Sequence, residues 1–315
     1  MVTSIIKAAT ALLFVPFVSV NSLTTTSSRA NKGQIIRNVV TTNDTTPSHD
    51  SKQEGRSILR YRGTSPGKAV KSGTDLRILC AGDSITVGYL SNQYGGDGNG
   101  YREQLREDLS KDVVQFAGTE KAGKMTDGYF AAWSGKTIQY IADHIGPSLK
   151  QQPNVILLHA GTNDMNSNSA ISTEGNDPKA AASRLGSLVD QMITGSPRAT
   201  ILVAMIVNTC VQDQSNRTKE YQQLIPGIVK ARRDDGHHVL AVDFTDISVE
   251  SLRDCVHPTN PGYKLLGDYW YDFMMQIPKD WIEAPLGAAP VRNGVHRNTP
   301  AVALVLIVLM VPQFL

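Results

Sequence analysis

Five short, almost unbroken apolar runs, each followed by a stretch long enough for a helix, constrain this chain more than any other feature. They lie at 76–82, 113–117, 155–160, 200–207 and 238–243. Runs of this length are strands, and a continuous rather than alternating apolar pattern marks strands buried on both faces. The intervening segments near 101–109, 136–149, 178–194, 215–233 and 262–275 carry helical periodicity. Ile138, Ile141, Ala142 and Ile145, for example, share one face, while Pro226 is expected to kink or interrupt the fourth helix. Alternating strands and helices with right-handed crossovers predict an α/β fold. The expected architecture is a doubly wound, flavodoxin-like five-stranded parallel sheet with helices on both faces.

The ends are different in kind. Lys7 precedes an apolar run at 8–20 and then the small residue Ser22, the order of a secretory signal peptide, expected to occupy 1–22. Residues 23–74 are Ser/Thr-rich with no sustained apolar period, which predicts a disordered leader. The folded domain is expected over 75–283. At 284–315, the small residues Gly287-Ala288-Ala289 are followed by a polar spacer and an apolar tail of 15 residues, 301–315. That tail is shorter than the ~20 residues of a spanning helix, and the layout fits a GPI-anchor signal, with a short tail anchor as the rival. A secreted chain would make Asn43 and Asn216 glycosylation acceptors, each opening an Asn-x-Thr triplet. A formal charge of +2 argues against a nucleic-acid partner, which normally meets a clustered basic face.

Parallel strands bring all their C-terminal ends to one rim, so the residues after each strand line one cleft. The first strand delivers Gly82-Asp83-Ser84, and the loop after the second delivers Trp133-Ser134-Gly135. Gly161-Thr162-Asn163-Asp164 follows the third strand, and Asp254-Cys255-Val256-His257-Pro258 follows the fifth. A serine needs a base to become a nucleophile, and a histidine is the residue suited to that task. Asp254 can then accept from the other ring nitrogen of His257 and fix its orientation. The Ser84 and Gly135 N–H groups with the Asn163 side-chain amide make a candidate oxyanion hole. Cys210 and Cys255 each follow an apolar strand, so a bridge between them is the expected pairing, fastening the loop that carries His257; Cys80 is a buried hydrophobe. Tyr89, Tyr94 and Trp133 either form a sugar-stacking platform at the cleft mouth or pack partly buried. His159 reads as a core residue, and His237-His238 lacks a third ligand, so neither a metal nor a cofactor is expected.

Gly82-Asp83-Ser84, Gly135, Gly161-Thr162-Asn163-Asp164 and Asp254-x-x-His257 resemble the four blocks of the SGNH (GDSL) hydrolases. Gly100-Tyr101-Arg102, Trp133 to Ile138, Tyr221 to Val229 and His257 to Tyr263 are similar to the acetyl xylan esterase branch, carbohydrate esterase family 3. The resemblance implies a metal-free serine esterase acting on acetylated polysaccharide, with Ser84, Asp254 and His257 catalytic and Ser84, Gly135 and Asn163 at the oxyanion hole. Cys255 departs from it, standing where many relatives have Asp or Gly. The competing readings are a lipid-directed esterase and a non-catalytic carbohydrate-binding or host-interaction protein. The expected place of action is outside the cell, with a membrane tether through the C-terminal tail as an addition.

Overall fold

The structure, a computed structural model, describes residues 58–287. The expected signal peptide, most of the expected leader with Asn43, and the apolar tail lie outside them. Eight strands form the sheet: β1 Ile58–Leu59, β2 Leu76–Gly82, β3 Val114–Ala117, β4 Glu120–Lys121, β5 Tyr129–Ala132, β6 Val155–His159, β7 Thr200–Met205 and β8 Val239–Asp243. Their order is β1-β8-β7-β6-β2-β5-β4, with β3 also paired to β2. Every pairing is parallel except β4 with β5. The five long apolar runs appear as β3-β2-β6-β7-β8, the flavodoxin-like order. The order reverses at β2, which places the end of that strand at the switch point where such sheets keep their ligands.

Side chains alternate between two cores, as the two-residue repeat of a strand requires. Ile78, Cys80, Leu157, Leu202 and Val242 face one side, and Leu79, Ala81, Ile156, Val203 and Ala241 the other. The first core is covered by Leu105 and Leu109, on and beside α2, and by Trp270 and Phe273 of α7. α2 spans Arg102–Asp108 and α7 spans Asn260–Met275. The second core is covered by α3 Ile138–His144, α5 Pro178–Gly195 and α6 Gln212–Asp234. Two short helices complete the set, α1 Ser84–Val87 and α4 Gly146–Leu149.

The structure departs from the sequence reading in four places. β1, β4 and β5 are additional to the five expected parallel strands, with β4 antiparallel, so Trp133 and Gly135 follow β5 rather than β3. β3 pairs along Leu76–Leu79 and β5 takes over beside Ala81 and Gly82. The stretch 136–149 is two helices, because Pro147 cannot donate within a continuing helix and starts α4 instead. α6 runs uninterrupted through Pro226; its buried Tyr221, Ile225 and Val229 anchor it on both sides of the proline. Finally, ordered chain begins well before residue 75. β1 pairs with β8, the Arg62 and Thr64 amides donate to the Asp272 carboxylate at 3.0 and 2.8 Å, and Val70 N–H donates to Asp112 at 2.9 Å. Backbone-to-carboxylate bonds of this kind leave no apolar periodicity in the sequence.

Candidate active site

β2 ends at Gly82, whose φ of +156° and tight fit exclude any other residue; a Cβ there would lie 2.1 Å from the His159 carbonyl oxygen of β6. The chain then turns into the single helical turn α1. Asp83 caps it, its carboxylate accepting from the Ile85 N–H at 3.0 Å. Asp83 thus shapes the turn rather than facing the cleft. Ser84 opens α1 with 4% of its surface exposed. Its N–H belongs to a first turn, where helix geometry supplies no intrahelical acceptor.

His257 arrives from the opposite end of the chain. Its Nε2 lies 2.9 Å from Ser84 Oγ and its Nδ1 lies 2.8 Å from Asp254 Oδ2. The other Asp254 oxygen accepts from the His257 and Val256 backbone N–H groups at 2.7 and 3.1 Å. Partial burial pushes the Asp254 carboxyl up, but the His257 N–H, the imidazole and the Val256 N–H outweigh it and hold it below the ordinary aspartate value. The loop is closed at its base, where Arg253 N–H donates to the His257 carbonyl at 2.7 Å and Thr259 N–H to the Ser251 carbonyl at 2.8 Å. Thr259 then caps α7.

Cys255 sits inside this loop at φ +67°, a left-handed conformation unusual for a side chain with a Cβ. It is joined to Cys210 by a disulfide. Its carbonyl also accepts from Thr209 Oγ1 at 2.8 Å and from the Cys210 N–H at 3.3 Å. The loop after β7 is therefore riveted to the loop bearing His257. Cys80 is buried in the sheet, and burial pushes its thiol up to about 12.

The loops carrying Gly135 and Asn163 are clasped to each other. Asn163 Nδ2 donates to the Lys136 carbonyl at 2.9 Å, leaving the second amide hydrogen for another acceptor. Asp164 accepts from the Ile138 N–H at 3.0 Å and pairs with Arg184 at 2.9 Å. Trp133 N–H donates to the Gly82 carbonyl at 3.2 Å, which seats the Gly135 loop beside the end of β2. Gly135 has φ +74°, and a Cβ there would meet no protein atom within 4 Å. Its need for glycine is thus conformational, and the space beside it is open.

Tyr89 is 46% exposed, with its ring 4.8 Å from the His257 imidazole and its carbonyl held by the Tyr263 hydroxyl at 2.8 Å. Tyr94 is 87% exposed and Trp133 is half-buried. Asn216 is exposed on α6. His159 is fully buried, accepts from the Val207 N–H at 3.3 Å, and burial lowers its basicity. His238 stacks on Trp281 with centroids 4.3 Å apart. Among the described residues no group of three or more His, Cys, Asp or Glu side chains is placed to hold a metal ion.

Arg102 was marked in the sequence only through the Gly-Tyr-Arg resemblance. It is completely buried, its guanidinium 4.4 Å above the Phe130 ring. It donates to the carbonyls of Thr86, Val87 and Ala122. A cation there meets the carbonyl end of α1, the turn that presents Ser84. Arg184, which holds Asp164, had no sequence signal at all, since the pair is 20 residues apart across a loop.

Residues 80–265, more than half of the chain, match the model of the GDSL-like lipase/acylhydrolase family. A family 3 carbohydrate esterase from Clostridium thermocellum superposes with a TM-score of 0.51 at 25% identity, covering 64% of this chain and 98% of that one. A family 3 carbohydrate esterase from Talaromyces cellulolyticus gives a TM-score of 0.53 at 21% identity, covering 65% and 99% of the two chains. A curated relative, a putative endoglucanase X of Acetivibrio thermocellus, is 27% identical over 148 residues. That match takes in 45% of this chain and spans only 60% of the relative's length.

Proposed function

Because the chain belongs to the GDSL-like lipase/acylhydrolase family, we propose that it is a serine esterase that removes acetyl groups from polysaccharides, acetylated xylan foremost. The observation that carries this reading is the unbroken relay from Ser84 Oγ to His257 Nε2 at 2.9 Å and from His257 Nδ1 to Asp254 at 2.8 Å. The similarity to a carbohydrate esterase along 98% of that chain supports the choice of substrate.

In the proposed reaction His257 takes the Ser84 proton as Oγ attacks the acetyl carbonyl carbon. The oxygen that becomes anionic is received by the N–H groups of Ser84 and Gly135 and the second amide hydrogen of Asn163. Each such donor lowers the barrier by roughly 3 kcal/mol. His257 returns its proton to the departing sugar hydroxyl. Water, deprotonated by the same imidazole, then releases acetate from Ser84. Asp254 keeps the ring in the tautomer that can do both.

We further propose that this chemistry takes place outside the cell, with residues 1–22 as the export signal and the tail from 301 as a lipid-anchor signal. The disulfide beside the site supports an oxidising compartment. Cell fractionation followed by phosphatidylinositol-specific phospholipase C treatment tests it. Release of the protein from membranes is expected, and recovery in the cytosol would refute it. For the activity, acetate release from acetylated xylan is measured alongside aryl acetate and aryl octanoate hydrolysis. Acetate esters are expected to be strongly preferred. A preference for octanoate would instead identify a lipid-directed esterase, and no turnover of any ester would leave a binding module.

A further inference from the structure

Two aromatic side chains on the loops around Ser84 and His257 take no part in the proposed reaction. Tyr94 is 87% exposed at φ +52°. This backbone belongs to the tight turn Gln93–Gly96, closed by the Gly96 N–H on the Gln93 carbonyl at 3.0 Å. One face of the ring nonetheless has a partner. The Arg253 guanidinium lies 4.7 Å from its centroid, and Arg253 donates to Asn260 Oδ1 at 3.2 Å. The Asn260 amide in turn donates to the Gln93 carbonyl at 2.8 Å, next to Tyr94 in the chain.

Trp133 is the second. Its centroid is 5.8 Å from Tyr140 and 5.7 Å from His144, at interplanar angles of 66° and 56°, so neither ring lies flat against the indole. Tyr140 and His144 stack on each other at 3.9 Å, tied by a 2.8 Å bond between His144 Nδ1 and the Tyr140 carbonyl. Lys136 Nζ lies 4.7 Å from the Tyr140 ring. The pair forms a brace on the outer face of α3.

The strand order sets where these rings stand. Arg253 and His257 share a loop bound to Cys210, beyond β7, whereas Trp133 follows β5. Ser84 follows β2, which lies between β6 and β5. Tyr94 thus stands beside the loop that bears His257, and Trp133 beside the loop that bears Gly135, the two loops that meet around Ser84.

We propose that Tyr94 on Arg253, beside the His257 loop, and Trp133 on its Tyr140–His144 brace, beside the Gly135 loop, are two sugar-stacking stations, so that the cleft takes an internal stretch of a polysaccharide strand. This rests on the acetylesterase reading. A pyranose ring offers a face of C–H groups that packs on a flat aromatic ring while its hydroxyls stay at the edge in water. A ring that already rests on a cation or a brace loses less rotamer freedom on binding. The acetylated residue then lies between the stations, above Ser84.

The test uses the full chain and partially acetylated xylose, xylobiose, xylotriose and xylotetraose. For each variant the kcat/KM ratio of tetramer to monomer is read, so that overall changes in rate cancel. In the parent this ratio should be at least about tenfold, the scale of one aromatic contact, and should arise in KM. Tyr94→Ala and Trp133→Ala should each bring it toward one, and Tyr140→Leu should lower it by loosening the indole. Val113→Ala, at the other end of the sheet, should keep it. Tyr94→Ala removes only an exposed ring, so the result stands even if Trp133→Ala misfolds. A parent that cleaves aryl acetate with no length dependence overturns the proposal, as does a ratio untouched in Tyr94→Ala. A parent inactive on every acetyl ester brings down the esterase reading itself, and this inference with it.

Discussion

Asp254 grips His257 at two points, its Oδ2 on the ring Nδ1 at 2.8 Å and its Oδ1 on the backbone N–H at 2.7 Å. One carboxylate both folds the loop and aims the imidazole. Asp254→Asn keeps the loop bonds approximately but offers the wrong partner to the ring, so kcat should fall by roughly 10⁴-fold. The carboxyl is held below its ordinary value in the fold, so the stability it adds is present above the unfolded value of about 3.9 and is lost as pH falls through the lowered folded value. Urea unfolding of parent and variant across that range should therefore give curves that converge at the acid end. A stability gap that is constant with pH would contradict the double grip.

Gly135 separates folding from chemistry. At φ +74° an alanine costs about 1–2 kcal/mol of backbone strain, yet its Cβ meets no protein atom within 4 Å. Gly135→Ala should fold, with a melting temperature a few degrees lower, and lose activity on every acetyl ester by much more than that loss of stability accounts for. Thermal melts and aryl acetate kinetics on the same preparation check it, and a variant with parental kcat would remove Gly135 from the oxyanion site.

The Cys210–Cys255 bridge closes 45 residues of chain, and a loop of that size stabilises the fold by about 4 kcal/mol in the chain-entropy account. Because Cys255 lies between Asp254 and His257, Cys210→Ser should lower kcat as well as the melting temperature. Treating the parent with dithiothreitol should reproduce the loss and leave Cys210→Ser unchanged. If kcat survives reduction, hydrogen bonds alone hold the loop.

Arg102 holds the floor of the site. Arg102→Met leaves the Thr86, Val87 and Ala122 carbonyls without their donor in a buried layer, at a cost of about 3 kcal/mol. Guanidinium denaturation is the check. Arg102→Lys should recover only part of the loss, since a single ammonium cannot serve the span that a guanidinium fork covers.

Much of this molecule is legible in its residues. Apolar runs such as Val155 to His159 announced the strands, and Gly-Asp-Ser, Asn163 and Asp254-x-x-His257 fell where parallel strands end. What the sequence concealed were features made by single contacts at long range. Tyr129 to Ala132 is too short a run to stand out as a strand, yet it seats Gly135 beside β2. The chain from Ile58 to Thr74 looked like leader because its order comes from amides bonded to Asp272 and Asp112, some 200 and 40 residues away. Arg184 beneath Asp164 is hidden for the same reason, since a buried ion pair has no period.

The central claim is that Ser84 Oγ is the atom acylated during turnover. Aryl acetate hydrolysis quenched in acid within the first turnovers, followed by peptide mass mapping, tests it directly. One acetyl group is expected on the peptide containing Ser84, and none in Ser84→Ala, which should retain its fold and lose nearly all activity. An acetyl group trapped on another residue, or a Ser84→Ala variant that hydrolyses the ester at the parental rate, would contradict the account.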